Sequence, residues 1–407
     1  MSAFVWLDYS ERERRKMLDV VDLFREHDTR DELGIGSVRD AFADMLFPGT
    51  STIMTRARYF LLVPWTYQRL EKQRVKSAEI AARARRAELD LIEPIERSDD
   101  NDGNIGKVAK TTLKRLPSSV YWQGLSVWGI RSFRGAQVQY HRSLDRFYAQ
   151  LTRHGGRASE RDVEHDDLIS PNWHAGLIRP PEDFPGECSL SLTRREAEYL
   201  AERIRLSPAC SGSLLAELVA QRRRADVTPF AWEHPHCAEL PPKLREILDH
   251  AQNFSEVMHG APLLYNLILA EQAHQKDGVA KYRRGFAGWA KSLAERSRVL
   301  AQWDRKRFWE LVRSVNPRIT GPTYEFINTW WDHALAGDAA LLSDSPAARL
   351  LIRDRERRLK KSLARIDNPR AQELWAGDSG TAQLEFRWFI SQRLLGDIFE
   401  GLELPDA

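Results

Sequence analysis

Cysteine is scarce in this sequence: Cys188, Cys210 and Cys237 are the three present in 407 residues. So odd and sparse a set is no disulfide framework and fits a reducing compartment. Net charge is also small. The 61 Lys+Arg against 58 Asp+Glu leave +3 at pH 7, so no global field demands an anionic partner. No apolar run approaches the roughly 20 residues of a membrane span; YFLLVPW, at 59–65, is far too short. The opening MSAFVWLDYSERERRK carries charge from Asp8 onward and has no apolar segment of signal length. The expectation is a cytoplasmic protein with no membrane contact. Strand signals are few, confined to GECSLSL (186–192) and VTPFAWEHP (227–235).

Several catalytic signatures are missing as well. GNIGKV (103–108) lacks the length and the Ser/Thr of a P-loop, and GIGSVR (34–39) has no third glycine for a dinucleotide loop. SDDNDGNIGKVA (98–109) lacks the first acid and the closing Glu of an EF-hand. HQKD (274–277) opens like the H-x-K of phospholipase-D-type enzymes, but residue 281 is Lys where that family needs Asp. No serine elbow or kinase set is present. These gaps favour a non-catalytic protein without a cofactor.

What the chain does have is helical periodicity. Hydrophobic residues at 42% and charged residues at 29% are ordinary for a globular protein. A first helix is expected after Ser10, a second over 38–46 with Ser37 and Asp40 as a capping box, and a third capped by Ser51 and Thr52 that reaches Pro64. An Ala-, Arg- and Glu-rich arm from Thr66 to Leu91 follows. Thr193 with Glu196 forms another capping box, and helices continue at 211–223, 243–259, 262–276, 279–300, 304–314, 322–336, 346–366 and 382–400. The fold class is mainly α: an N-terminal helical domain with a basic arm (1–96), a polar linker (97–106), an irregular, partly helical middle (107–187) and a C-terminal helical domain (188–407).

Four groups of residues bear on function. The pair of helices around Pro48-Gly49 has the layout of a helix-turn-helix, which would place Ser51, Thr52, Thr55, Arg56 and Arg58 at a helix N-terminus where free amides favour phosphate. The plainer alternative is a helical hairpin packed on a core. Basic residues come in runs: seven Lys/Arg against three Glu over 69–88, including Arg69, Lys72, Arg74 and Lys76, and seven against two acids over 353–365, including Arg353, Arg357, Lys360 and Lys361. RRRAD at 222–226 adds a shorter cluster. Such runs can neutralise phosphates, or can be solvated faces with i,i+4 pairs. Histidines crowd 234–274, where Glu256–His259 and Glu271–His274 have the Glu-x-x-His spacing of di-metal bundles, and His234, His236 and Cys237 could join a zinc site. Hydrogen-bonded, non-ligating histidines are the favoured reading there. The Trp-rich stretches VYWQGLSVWG, WDRKRFWELV, NTWWDH and FRWF read as buried helix faces.

The stretches at 4–65 (FVWLDYSERERRKMLDVV through to YFLLVPW), 116–130 (LPSSVYWQGLSVWGI), 253–271 (NFSEVMHGAPLLYNLILAE) and 384–402 (LEFRWFISQRLLGDIFEGL) resemble, nearly end to end, a bacterial family of unknown function. The resemblance brings no catalytic residues. It implies at most a role in anti-phage defence islands, beside partners such as a helicase. The expected function is a nucleic-acid-binding accessory subunit that contacts a DNA backbone. A structural adaptor without nucleic-acid contact and, behind it, a metal-dependent enzyme are the alternatives.

Overall fold

The computed structural model describes residues 31–157, 171–222 and 227–405. The helix expected after Ser10 and most of the RRRAD cluster lie outside the described residues. Among the described residues every regular element is a helix, and one antiparallel bridge, Arg131 to Trp173, is the sole β pairing. GECSLSL is irregular. VTPFAWEHP holds the 3-10 turn Ala231–Glu233, and its Pro229 and Pro235 lack the amide donors a strand needs. No helix among the described residues is long and apolar enough to cross a membrane.

Two compact units make up the chain, and neither is continuous in sequence. Unit A comprises Phe42–Leu248 and Glu385–Ala407; unit B comprises Met1–Ala41 and Asp249–Leu384. The segment read as a linker at 97–106 lies inside unit A, and the segment 188–407 contributes to both units.

In unit A the helix Tyr59–Lys72 begins well after Ser51, correcting the expected start at Ser51 and Thr52. Residues ahead of it are held as a loop by one phenol. The Tyr121 hydroxyl accepts from Thr55 N (2.9 Å) and Arg56 N (3.1 Å) and donates to Arg56 O (2.9 Å). Pro64 sits inside the helix without ending it, because everything from Tyr59 to Tyr67 is buried and packing offsets the lost hydrogen bond. Phe60 stacks on Trp128 at 3.7 Å, and Trp128 Nε1 donates to Pro48 O (3.0 Å). The helix then stops at Lys72 instead of continuing to Leu91. Arg74 takes a left-handed φ of 52°, and Val75 N turns back onto Leu70 O (3.2 Å), the closure usually made by glycine. A new helix, Ile80–Leu89, buries Ile80, Ala84 and Glu88 along one face. Helix Trp388–Glu403 packs on helix Arg194–Leu206, where Gly401 lets the backbones close; a Cβ there would lie 2.7 Å from Ala197 Cβ. The Thr193–Glu196 capping box forms as expected.

Unit B contains most of the helix Pro242–Gln272, which runs through Pro262 without the expected break. The ring of Trp289 lies against Gly260, where a Cβ would come within 2.4 Å of it, and Trp289 Nε1 donates to Glu256 O (2.7 Å). Trp303, Phe308, Trp309, Trp330 and Trp331 are buried around this helix and its neighbours Arg305–Val315 and Gly321–Leu335. The Trp-rich stretches are therefore core, as read. Helix Gly36–Leu46 is closed at its start by Asp31, whose carboxylate accepts from Ile35 N (2.7 Å) and Gly36 N (2.5 Å), and not by the Ser37–Asp40 box.

Candidate nucleic-acid interface

The basic residues singled out by pattern divide into three groups by what surrounds them. Arg56 and Arg58 are buried in unit A. Arg56 Nε donates to both oxygens of Asp397 (2.8 and 3.0 Å), and its Nη1 and Nη2 reach Asp100 (2.6 and 2.5 Å). Burial works against the Arg56 charge, and the bonds from Asp100 and Asp397 outweigh it, so its pKa is raised. Burial pushes the Asp397 carboxyl up to about 6 against the pull of Arg56, which leaves the pair ionised at neutral pH. Arg58 Nη2 donates to Glu196 (2.8 Å) and Nη1 to Ser189 Oγ (2.8 Å). Ser51 and Thr55 are partly covered and Thr52 is exposed, but no helix starts among them. The connection 47–58 is also far longer than the three or four residues of the DNA-binding turn. The helix-turn-helix expectation and the phosphate-facing role of Arg56 and Arg58 are corrected accordingly: both guanidiniums are spent inside the fold.

The second group lies on helix Pro346–Lys360 in unit B. Arg353 and Arg357 share Asp367 (2.6 and 2.7 Å), whose carboxyl is held below its ordinary range by the bond from Arg357 first and then by Arg353. Lys360 pairs with Glu32 and with Glu356 (3.3 Å). Glu356, fully buried, also accepts from the Tyr265 hydroxyl (2.7 Å), Arg365 N (2.9 Å) and Ile366 N (3.0 Å). Lys361 is exposed and has no partner among the described residues. This run is mostly an internal ion-pair network.

The third group is different. Arg69 and Lys72 are exposed in the last turn of Tyr59–Lys72, Lys76 in the connection 73–79, and Arg83 and Arg86 on the outer face of Ile80–Leu89. None of the five makes an ion pair or side-chain hydrogen bond among the described residues. Their near neighbours do: Arg74 donates to Thr152 Oγ1 (3.0 Å), and Arg85 to Leu113 O (2.9 Å) and Thr111 O (3.0 Å). Arg69, Arg83 and Arg86 face one cavity of about 200 Å³ in unit A, lined also by Thr66, Leu70, Gln73, Ala87, Asp90, Phe184 and Pro185.

Two carboxylates, the half-buried Glu71 and the buried Glu88, fix the helices that carry these cations. Glu71 accepts from the Tyr140 hydroxyl, Asn172 Nδ2 (3.0 Å) and Trp173 Nε1 (3.1 Å), and burial raises its pKa. Glu88 accepts from Ser118 N and Ser118 Oγ, both at 2.7 Å, at the start of helix Pro117–Val127, and burial pushes its carboxyl up to about 7. The cationic face is thus presented by anchored backbone. Pattern reading included Arg83 and Arg86 in the basic run without singling them out. Their i,i+3 spacing was the available signal; the return of 184–185 beside them was not visible.

The metal candidates do not converge. Glu256 pairs with Arg296, Glu271 with Arg283 (2.8 Å) and Arg349 (2.7 Å), and His259 Nε2 lies 3.1 Å from Thr381 O. His274 ends a helix with φ 53°. His234 Nδ1 accepts from His236 N (3.4 Å), and Cys237 Sγ bonds Ala231 O (3.1 Å). Among the described residues no three His, Cys, Asp or Glu side chains gather as metal ligands. A larger concavity of about 750 Å³ beside Arg58, Arg97, Asp100 and Cys188 is of mixed charge, and burial pushes the Cys188 thiol up to about 11, so it is a poor nucleophile at neutral pH.

The chain matches the model of a family of unknown function, DUF6361, over residues 1–401. No curated protein and no solved structure matches it.

Proposed function

We propose, for a chain that belongs to the DUF6361 family of unknown function, that it binds DNA through backbone phosphates at the cationic face formed by Arg69, Lys72, Lys76, Arg83 and Arg86. The observation that carries this is selective pairing. Arg56, Arg58, Arg353, Arg357 and Lys360 are matched by carboxylates, whereas these five exposed cations have none among the described residues. Unpaired, solvent-facing Lys and Arg are what phosphate neutralisation and counterion release require. Backbone contacts of this kind position a strand without reading its sequence. The defence setting implied by the sequence resemblance, with a helicase-like partner, suits a subunit that supplies grip and no chemistry.

The triple variant Arg69→Glu, Arg83→Glu, Arg86→Glu tests this. The three side chains hold no partner among the described residues, so circular dichroism and denaturation should match the parent. Affinity for a labelled duplex at low salt should fall by about a hundredfold or more. A parent protein that fails to bind duplex, or a variant that binds equally well, would refute the assignment and favour an adaptor whose contacts are all with protein. Purification from the native host should then give the same partners with and without nuclease.

A further inference from the structure

We infer that the cavity between Arg69, Arg83 and Arg86 takes a phosphate monoester, the kind of group found at the end of a cleaved or phosphorylated strand and on a free mononucleotide. This rests on the DNA-binding reading for the source of the ligand.

Charge is the first consideration. The lining holds three guanidiniums and one carboxylate, Asp90. Arg69 and Arg86 each lie in the last turn of a helix, where the backbone contributes roughly half a negative charge. The balance remains positive, at about +1. An internal phosphodiester brings a single negative charge, whereas a monoester brings about −1.5 to −2 at neutral pH. A net positive lining attracts the dianion more strongly.

Donor supply points the same way. Each guanidinium offers five N–H groups in a rigid fork suited to paired phosphate oxygens. Three forks exceed what the two free oxygens of a diester can accept, while a monoester presents three. Size narrows the ligand further. At about 200 Å³ the cavity is below the roughly 300–1,000 Å³ typical of small-molecule pockets. It has room for a phosphate and part of its sugar. One wall is apolar: Phe184, set by an edge-on contact with Trp65 (5.5 Å), and Pro185. A sugar or base can lie against that wall while the phosphate meets the arginines.

Binding of matched single-stranded oligonucleotides tests this, one set with a 5′-phosphate, one with a 3′-phosphate and one with hydroxyl ends, with adenosine monophosphate as competitor. At least one phosphorylated form should bind about tenfold tighter than the hydroxyl-ended strand. That ratio should fall to about one in the variant Arg83→Ala, Arg86→Ala, while weaker binding of the hydroxyl-ended strand persists through Lys72 and Lys76. Asp90→Asn should tighten the phosphorylated strand by a few fold, roughly the effect of removing one screened charge, with little change for the hydroxyl-ended one. Competition by the mononucleotide for the phosphorylated strand alone also supports the cavity. Equal binding of all strands would overturn the monoester assignment and leave DNA binding standing. Binding of the mononucleotide with no binding of any strand would keep the cavity and remove the DNA reading. No binding of either would remove both.

Discussion

Replacing Asp397 with alanine is expected to lower the unfolding free energy by about 3–5 kcal/mol. Asp397 is 7% exposed and accepts from Arg56 Nε and from Ala57 N (2.7 Å). Its removal takes two of the five side-chain hydrogen bonds of Arg56, itself 6% exposed, and leaves the buried Nε without a partner. It also frees the Ala57 amide next to the helix Tyr59–Lys72. The same logic ranks a control. Asp100 holds the other edge of Arg56, but its side chain is 29% exposed, so water can take its place and Asp100→Ala should cost only about 1 kcal/mol. Urea denaturation of the two variants against the parent checks the order. Losses of equal size, or a loss below 1 kcal/mol for Asp397→Ala, would contradict the view that Arg56 is an internal tie in unit A.

The second large effect concerns pH. Burial raises the Glu88 carboxyl from its ordinary value of 4.5 to about 7, against the bonds it accepts from Ser118. The folded state therefore keeps a proton at pH values where the unfolded chain has lost it. Stability falls as pH rises from about 4.5 to about 7, by roughly 3 kcal/mol from this group, and levels off above. Asp397, also raised by burial, to about 6, acts in the same direction, so the parent alone cannot isolate Glu88. The difference between parent and Glu88→Gln can. Glutamine keeps an acceptor for Ser118 N and never ionises, so the variant should gain on the parent from pH 5 to about pH 7 and hold that gain to pH 8. A constant gap across that range would show that Glu88 is ionised throughout, held by its two serine bonds despite burial.

Much of the helical plan was legible in the sequence, and its failures share a cause. The Thr193–Glu196 box and the helices near 304–314 and 322–336 appear where local chemistry put them. The arm after Thr66 and the helix expected to reach residue 366 were drawn too long. Their stops are made by Arg74 and Lys361 in the left-handed region, with no glycine to announce them. Pro64 and Pro262 misled in the other direction: burial holds the helix through each. Which arginines are free was illegible for a different reason. The partner of Arg56 lies 341 residues further on, and Asp367 reaches Arg353 and Arg357 only because the chain turns at Lys361. Counting charges in a run treats Arg69 and Arg357 alike; only tertiary placement separates a cation already neutralised from one still available.

The salt dependence of duplex binding tests that separation most directly. If the five exposed cations without partners among the described residues all meet phosphates, log K falls linearly with log salt concentration, with a slope of roughly −4, and Arg69→Ala, Arg83→Ala, Arg86→Ala together bring it to about −2. An affinity that stays level as salt is raised, or a slope that these three substitutions leave unchanged, would mean that phosphates are not met at this face.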